Sequence, residues 1–326
     1  MDPKQLTVLQ IISFKDLFHL KKDWPRFIRK LWEQGILSKV ICVREKDDQA
    51  VKLMSDDLNV EVWNKKSEFD FGLYGKLKKI IKDNTPCIIH VHSQSLDGFI
   101  VTASILYGIR FLGSQNKVPL GIDLNEFDGK VSSEKMRSMR LELGLREDSF
   151  VIGNIGDLIP ECDHLTLIKA LRNLIEKQMN AELVIVGQGP LRKQLEEKAG
   201  EFHLTDRVKF VASKKDIVSL LRVFDVYVVS AFQEQAESWI IEAMAMGKPV
   251  IATQIGTHCE KIIQGKTGFL VPCGFPERID TVIMRWKANQ SLAQDIGRAG
   301  REFTQDKFNL EKIAIEYKNL YNQLTQ

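Results

Sequence analysis

The sequence predicts an α/β fold made of two doubly wound parallel sheets in tandem. Three observations support this: a length of 326 residues, an ordinary globular composition, and β-branched runs that alternate with helix-like segments. The length allows two domains at about 150 residues each. Hydrophobic residues at 44% and charged residues at 27% are sufficient for real cores and exclude intrinsic disorder as the main state. Strands alternating with helices indicate βαβ units, in which helices cover both faces of a parallel sheet.

The first half contains four predicted strands and three predicted helices. The strands are expected at 6–12, 39–43, 60–63 and 87–91, and the helices at 25–34, 75–82 and 95–109. Pro25 suits a first helical turn, and Gly35 is placed to end that helix. No strand–helix pair is expected between 111 and 119. A polar helix within 128–148 leads to a boundary near Phe150.

The second half repeats the alternation more clearly. Strands are expected at 150–155, 182–186, 208–211, 226–229 and 249–252, with a further short strand ending at Val271. Helices are expected at 165–178, 190–198, 215–224 and 238–246, and helices fill the rest of the chain. Two α/β domains in tandem usually hold their ligand in the cleft between them, at the carboxyl ends of the strands.

Charge and cysteine usage exclude several classes of protein. Forty-six basic and 43 acidic residues leave a net charge of +3, which is too balanced for whole-surface nucleic-acid binding. Five scattered cysteines without a CxxC pair indicate a reducing compartment and no disulfide framework. We see no signal peptide, and no apolar run reaches the roughly 18 residues of a spanning helix. These features predict a cytoplasmic protein whose membrane contact, if any, is peripheral.

The segment 230–250 carries the most chemical information. Glu234 lies in a polar loop after a predicted strand, and Glu242 lies about two turns into the next helix. The N–H groups at such a helix start suit a phosphate. Two carboxylates so placed can accept hydrogen bonds from two sets of ligand hydroxyls. The alternative is that Glu234 and Glu237 only cap the helix and that Glu242 is solvated.

Several segments, in register along the chain, resemble glycosyltransferase family 4, the retaining GT-B enzymes. They are Pro119-Leu-Gly-Ile-Asp-Leu-Asn-Glu-Phe127, Val186-Gly-Gln-Gly-Pro-Leu191, Phe224-Asp-Val-Tyr-Val228, the Glu234 and Glu242 pair with Ala243-Met-Ala-Met-Gly-Lys-Pro-Val250, and Glu260 with Gly265-Lys-Thr-Gly-Phe-Leu-Val-Pro272. The resemblance covers 118–326, with a fainter likeness over 7–109. It implies two Rossmann-like domains facing across a cleft: an acceptor-side domain at 1–128, a nucleotide-sugar domain at 129–308, and a helix at 309–326 that returns to the first domain.

The resemblance also implies roles for individual residues. Glu234 would contact hydroxyls of the donor sugar, and Glu242 would bind the nucleotide ribose. The other implied donor-binding residues are Gly156, Asp157, Cys162, Gly187, Gly189, Pro190, Ala236, Glu237 and Ser238. The donor would be a nucleotide-diphosphate sugar, with no metal and no further cofactor. Two basic residues of the family offset the charge that builds on the leaving phosphate.

This chain departs from the family where those basic residues stand. The family pattern Gly-Arg-Leu-x-x-x-Lys-Gly is replaced by Gly156-Asp-Leu-Ile-Pro-Glu-Cys-Asp163. Asp157 therefore stands at the arginine position and Cys162 at the lysine position. Losing this clamp can cost several kcal/mol of transition-state stabilisation. Lys15 is a substitute cation in one interpretation and a stray surface lysine in the other.

The amino-terminal domain is also shorter than the family pattern. Only 110–117 stand where the family carries two further strand–helix units, one of which supplies a cleft histidine. His92 is the acceptor-side candidate that remains, and alternation on a strand places it on one face with His90. The alternative is a satisfied core histidine.

Two further features each allow a functional and a structural interpretation. Cys162 with His164, and His258 with Cys259, are metal-ligand types whose spacing fits no standard site, so no metal is expected. The segment 18–32 mixes basic residues with Phe18, Trp24, Phe27 and Trp32. It suits either an anionic membrane surface or a core helix with a solvated basic face.

The combined expectation is transfer of a hexose-type sugar from a nucleotide-diphosphate sugar to a glycan or lipid-linked acceptor. Cell-envelope polysaccharide or lipopolysaccharide assembly is the expected setting, by family association. The alternative is a catalytically impaired relative that binds a nucleotide or glycan and serves as a partner subunit. A sugar-nucleotide epimerase of the same architecture is a further alternative, which the Glu234 and Glu242 helix disfavours.

Overall fold

The computed structural model describes residues 6–13, 23–44, 60–64, 71–83, 87–93, 96, 98, 101–102, 108, 110–113, 121–129, 131–212, 216–233 and 237–325. The chain forms two compact units. The first comprises Met1–Asp123 with Phe308–Gln326, and the second comprises Leu124–Lys307.

Each unit contains a parallel sheet. The first sheet has the order β3-β2-β1-β4-β5, with strands β1 Thr7–Ser13, β2 Leu37–Arg44, β3 Val60–Asn64, β4 Cys87–Val91 and β5 Phe111–Leu112. The second has the order β11-β10-β9-β6-β7-β8, with strands β6 Phe150–Ile155, β7 Ala181–Val186, β8 Val208–Val211, β9 Val226–Val229, β10 Val250–Thr253 and β11 Phe269–Val271. The predicted α/β class with two doubly wound sheets is confirmed. The two-residue strand β5 lies in the range 111–119, where we expected no strand–helix pair.

Helices connect the strands in both units. They are α1 Asp23–Glu33, α2 Phe71–Asp83, α3 Ser133–Glu142, α4 His164–Glu176, α5 Arg192–Glu201, α6 Ile217–Val223, α7 Glu237–Ala245, α8 Gly256–Lys261, α9 Pro276–Ala288, α10 Gln290–Lys307 and α11 Leu310–Thr325. Short 3₁₀ turns lie at Leu124–Phe127 and Pro160–Cys162. Most of the predicted helix at 95–109 lies outside the described residues, and its described members 96, 98, 101 and 102 are helical.

Alternating residues of β1 build two separate cores in the first unit. Val8 and Ile12 point to one face, where they join residues of α1 and α11. Leu9 and Ile11 point to the other face, where they join residues of α2. This period of two, with apolar residues on both sides, is what a strand covered on both faces requires.

Helix α1 decides between the two interpretations of the basic, aromatic segment. Trp24, Phe27, Ile28 and Leu31 recur at helical spacing, and each is 0% exposed. The core-helix alternative is therefore confirmed for these residues, and Trp24 and Phe27 are not available to a membrane. Phe18, Lys21 and Lys22 lie outside the described residues. Across the part of the chain that the structure describes, no helix has both the length and the apolar character needed to cross a membrane.

The chain crosses itself closely within the first unit, at Ile122 and Leu310. The Ile122 N–H donates to the Phe308 carbonyl at 2.9 Å, and the Leu310 N–H donates to the Ile122 carbonyl at 3.2 Å. A Cβ on Gly121 would lie 2.6 Å from the Leu310 Cα. This crossing explains why the Pro119–Phe127 segment needs a glycine at its third position.

A buried polar network joins β1, β4 and α11. The His92 Nε2 donates to the Gln10 Oε1 at 2.7 Å, because an amide oxygen can only accept. The Gln10 amide donates to the Tyr321 hydroxyl at 3.3 Å, and that hydroxyl is hydrogen-bonded to the His90 Nδ1 at 2.6 Å. The two imidazole rings lie with centroids 3.9 Å apart and planes tilted by 41°, which fits residues two apart on one face of an extended segment.

Burial keeps both histidines of this network neutral. It lowers the pKa of His92 to about 3. Burial, together with the neighbouring His92, also lowers the pKa of His90 well below its ordinary value. Each folded imidazole therefore binds fewer protons than its unfolded counterpart below pH about 6.5.

We predict that stability falls as the pH falls from about 6.5 towards 3. A group with a depressed histidine pKa contributes stability above its unfolded pKa and loses it on acidification. At pH 5 the loss from His92 is at most about 2 kcal/mol, and His90 acts in the same direction. Urea unfolding at pH 7 and pH 5 measures the loss, and His92→Gln should reduce it. An equal loss in both proteins would contradict the assignment to His92.

Candidate active site in the second unit

The strand order of the second sheet reverses between β6 and β9. These strands are hydrogen-bonded neighbours, yet the chain leaves β6 toward β7 and leaves β9 toward β10. Ligands of doubly wound sheets bind at such a switch point, outside the carboxyl ends of the strands. The loops after β6 and β9 therefore flank the position expected for a ligand site.

The loop after β6 ends in an unusual backbone conformation. Asp163 has φ 44°, in the left-handed region that favours glycine. Its side chain accepts the Thr166 N–H at 3.4 Å and so caps α4. Burial raises the pKa of its carboxyl group. The left-handed backbone accounts for the glycine of the family pattern at this position, and aspartate is among the residues that tolerate it.

The two residues that replace the family's basic pair lie in different environments. The Asp157 side chain is exposed. Cys162 is only 5% exposed and belongs to the 3₁₀ turn at Pro160–Cys162. Asp157 can therefore act on a solvated ligand, whereas the Cys162 thiol is part of the interior.

The loop after β7 packs directly against the loop after β6. The Leu158 N–H donates to the Gln188 carbonyl at 2.9 Å, and the Leu191 N–H donates to the Leu158 carbonyl at 3.0 Å. A Cβ on Gly187 would overlap the Gly156 carbonyl, and one on Gly189 would overlap the Leu158 carbonyl. Both predicted donor-binding glycines are thus required by the contact between these loops, and Pro190 follows them at the start of the next turn.

The loop after β9 is bonded to the loop after β6. The Ser230 hydroxyl lies 2.8 Å from the Asp163 carbonyl and 3.1 Å from the Cys162 carbonyl. The Phe232 N–H donates to the Glu161 carbonyl at 2.8 Å. Beyond Gln233, the predicted Glu234 and Ala236 lie outside the described residues. The backbone resumes with α7 at Glu237, and the side chains of Glu237 and Ser238 also lie outside the description.

Glu242 is buried on the second turn of α7. It is 2% exposed, so the alternative that it is solvated is wrong. Its neighbour Tyr227 donates from its hydroxyl to the Ile155 carbonyl at the end of β6, at 3.3 Å. Burial raises the pKa of Tyr227 well above its ordinary value, and the nearby Glu242 carboxylate adds to the rise. A buried carboxylate beside the carboxyl end of β6 is a candidate for holding polar ligand atoms.

Several buried polar residues at this edge escaped the sequence prediction. The Asn154 amide donates to the Val228 carbonyl at 2.7 Å, and the Thr253 hydroxyl donates to the Ala231 carbonyl at 2.6 Å. The His258 Nδ1 donates to the Thr253 carbonyl at 3.0 Å. Asn154 and Thr253 had only one signal in the sequence, a lone polar residue in an apolar strand, and His258 was considered only as a metal-ligand type. Within the described ranges, histidine, cysteine and acidic residues form no group of three that could hold a metal.

His92 lies apart from this edge in the sequence and belongs to the first unit. Its ring centroid lies 5.4 Å from a ring of Trp24 and 3.9 Å from the ring of His90, and its Nε2 is hydrogen-bonded to Gln10. These contacts favour the satisfied core histidine over the acceptor-site candidate.

Comparisons with known proteins identify a family to which the second unit is similar. The model of the glycosyl transferases group 1 family matches residues 136–303. N-acetyl-alpha-D-glucosaminyl L-malate synthase of Bacillus anthracis is 25% identical over 57% of this chain and 49% of its own length. The capsular polysaccharide biosynthesis glycosyltransferase CapM of Staphylococcus aureus is 27% identical over 71% of this chain and 60% of its own length.

A solved structure extends the likeness to the whole fold. Anabaena Alr3699/HepE, in complex with UDP and glucose, superposes with a TM-score of 0.78 at 18% identity, over 97% of this chain and 99% of that one. At this identity the likeness shows the fold, which is GT-B. The match spans about half to three fifths of the length of the two curated relatives. The family model nevertheless covers more than half of the sequence, including all three loops described above, and the chain belongs to the glycosyl transferases group 1 family.

Proposed function

We propose that the chain is a retaining glycosyltransferase of the family 4 type. It transfers a hexose-type sugar from a nucleotide-diphosphate sugar to a glycan or lipid-linked acceptor of the cell envelope, on the cytoplasmic side. The observation that carries the proposal is the switch-point edge of the second sheet, where the loops after β6, β7 and β9 are bonded to one another and the β9 loop leads to α7, which carries the buried Glu242.

The donor's diphosphate is assigned to the start of α7. The first backbone N–H groups of a helix have no partner within it, and the positive end of the helix dipole favours an anion. Glu237 and Ser238 supply such N–H groups, and α7 runs nine residues to Ala245. Glu242, one turn further along, would accept hydrogen bonds from ribose hydroxyls, and Glu234 from hydroxyls of the sugar.

The reaction requires positive charge at the leaving diphosphate, and the basic pair of the family is replaced here. An exposed Asp157 weakens the site by repulsion, and the buried Cys162 contributes no charge. These substitutions, with the proposed shortening of the amino-terminal domain, favour the alternative of an impaired relative that binds a nucleotide or glycan as a partner subunit. UDP-hexoses are the first donors to test, because HepE was solved with UDP and glucose.

The proposal gives His92 no chemical step. Its Nε2 proton is committed to Gln10, and its pKa of about 3 keeps the ring neutral through the physiological range. A neutral imidazole fixed on both sides is suited to packing and not to proton transfer.

The ribose assignment predicts a loss of affinity in Glu242→Ala. A hydrogen bond to a charged group is worth about 1.5–3 kcal/mol, so nucleoside diphosphate affinity should fall about 10- to 150-fold. Calorimetry with UDP measures this. Asp280→Asn is the matched control, because Asp280 is also a fully buried carboxylate on a helix, held by Asn173 and Lys177. Unchanged affinity in Glu242→Ala would remove Glu242 from the site.

The charge argument predicts a gain of affinity in Asp157→Arg. Replacing a carboxylate by a guanidinium removes repulsion and adds a charge-assisted donor, so UDP affinity should rise about 10-fold or more. Asp206→Arg is the control, because Asp206 is exposed in the turn before β8 and undergoes the same change of charge. No gain would mean that another cation already serves the phosphate. Brisk sugar transfer by the wild type would exclude the impaired alternative.

A peripheral membrane contact is the remaining part of the proposal. With Trp24 and Phe27 buried, it rests on the exposed Trp32, at 39%, and on Arg29. We expect binding to anionic vesicles that weakens with salt. Flotation with anionic and neutral vesicles measures it, and Trp32→Ala should reduce it while Phe275→Ala, in the second unit and 48% exposed, should not. Equal binding to both vesicle types would contradict an electrostatic contact.

A further inference from the structure

The start of the β9 loop is hydrogen-bonded on both sides, to the loop after β6 and to the end of β10. On one side, the Ser230 hydroxyl reaches the Asp163 carbonyl at 2.8 Å and the Cys162 carbonyl at 3.1 Å. On the other side, the Thr253 hydroxyl at the end of β10 donates to the Ala231 carbonyl at 2.6 Å. Consecutive residues of one loop are thus tied to two different neighbours.

The hydrogen bonds of the Ser230 hydroxyl lie in the interior of the second unit. Ser230 and Thr253 are 0% and 1% exposed, and Cys162 is 5% exposed. In this dry setting a hydroxyl that bridges two carbonyls satisfies polar groups that would otherwise lose water without replacement. Removing the hydroxyl withdraws one donor from both carbonyls, although the Asp163 carbonyl keeps the Thr166 N–H at 3.2 Å. We therefore expect the loop after β6 to be held less tightly against β9.

The position of this contact gives it a functional meaning. It joins the two loops that flank the switch point, one containing Asp157 and the other leading to Glu234 and the start of α7. The Phe232 N–H bond to Glu161, at 2.8 Å, continues the same seam. The separation of the two loops therefore depends on the residue at 230.

We propose that Ser230 is a positioning residue that latches the β6 loop to the β9 loop and so sets the geometry of the nucleoside diphosphate site. The hydroxyl contacts no ligand itself and acts through the carbonyls of Cys162 and Asp163. The latch stands on the geometry of the second unit, and its effect on ligand rests on the proposed function.

The test compares Ser230→Ala with Thr304→Val in the full chain. Thr304 is also 0% exposed, and its hydroxyl donates to the Gly300 carbonyl at 3.0 Å within α10. Both changes remove a buried hydroxyl-to-carbonyl bond, but only one lies between the loops. Hydrogen exchange by mass spectrometry follows peptides spanning 156–163 and 230–233, and calorimetry follows UDP.

We expect faster exchange in both peptides for Ser230→Ala, and UDP affinity lower by about 3- to 10-fold, the effect of one buried hydrogen bond. Thr304→Val should change neither. If Ser230→Ala does not fold, Ser230→Cys, with its weak donor, takes its place in the same measurements. Unchanged exchange overturns the latch, and faster exchange with unchanged UDP affinity overturns the positioning role. A wild type that binds no UDP, GDP or ADP overturns the proposed function instead, and exchange then decides the latch by itself.

Discussion

The loops after β6 and β7 lie so close together that no side chain fits between them. Gly187 and Gly189 face the carbonyls of Gly156 and Leu158, and the backbone bonds between the loops tolerate no wider spacing. Overpacking at such a contact costs about 1–3 kcal/mol because backbone has to shift. The sequence analysis predicted that these glycines bind the donor. In the structure they allow the two loops to pack together, whether or not a ligand is bound.

The electrostatics of that edge are finely balanced. A helix start stabilises an anion by about 0.3–1 kcal/mol at an exposed site. A carboxylate at an assumed separation of about 8 Å from a unit negative charge opposes it by about 0.5 kcal/mol in water and by about 2 kcal/mol at an effective dielectric of 20. Because Asp157 is exposed, the smaller figure is closer. Under the proposed function, Asp157 is therefore compatible with nucleotide binding, and we expect catalysis, which adds charge to the leaving phosphate, to be the more affected step.

Strands with clear boundaries were predictable, and isolated polar residues were not. The strands at 87–91, 150–155, 208–211 and 226–229 were predicted to the residue, because turn residues flank apolar, β-branched runs. The strand Phe111–Leu112 escaped because two residues have no periodicity. The hydrogen bonds of Asn154, Ser230 and Thr253 were not predicted for a different reason. They depend on which strands are neighbours in the sheet, and local sequence spacing does not determine the strand order. In α1, by contrast, the helical spacing of Trp24, Phe27, Ile28 and Leu31 was typical of a core helix, whereas the mixture of basic and aromatic residues left the membrane alternative open.

In the loop from Gly156 to Asp163, the residue that keeps the shape of the turn differs from the residues at which the resemblance places cations. Asp163 adopts the left-handed backbone of the glycine it replaces and also caps α4, so the turn keeps its shape. Cys162 occupies an interior position where a lysine would have to bury its charge or push its stem to the surface. A Cβ on Gly156 would lie 3.5 Å from the His164 Nε2, 3.6 Å from the Cys162 Sγ and 3.7 Å from the Asn154 Oδ1, so these three side chains lie close together beside Gly156. A cation is therefore more readily introduced at the exposed position 157 than at the buried position 162.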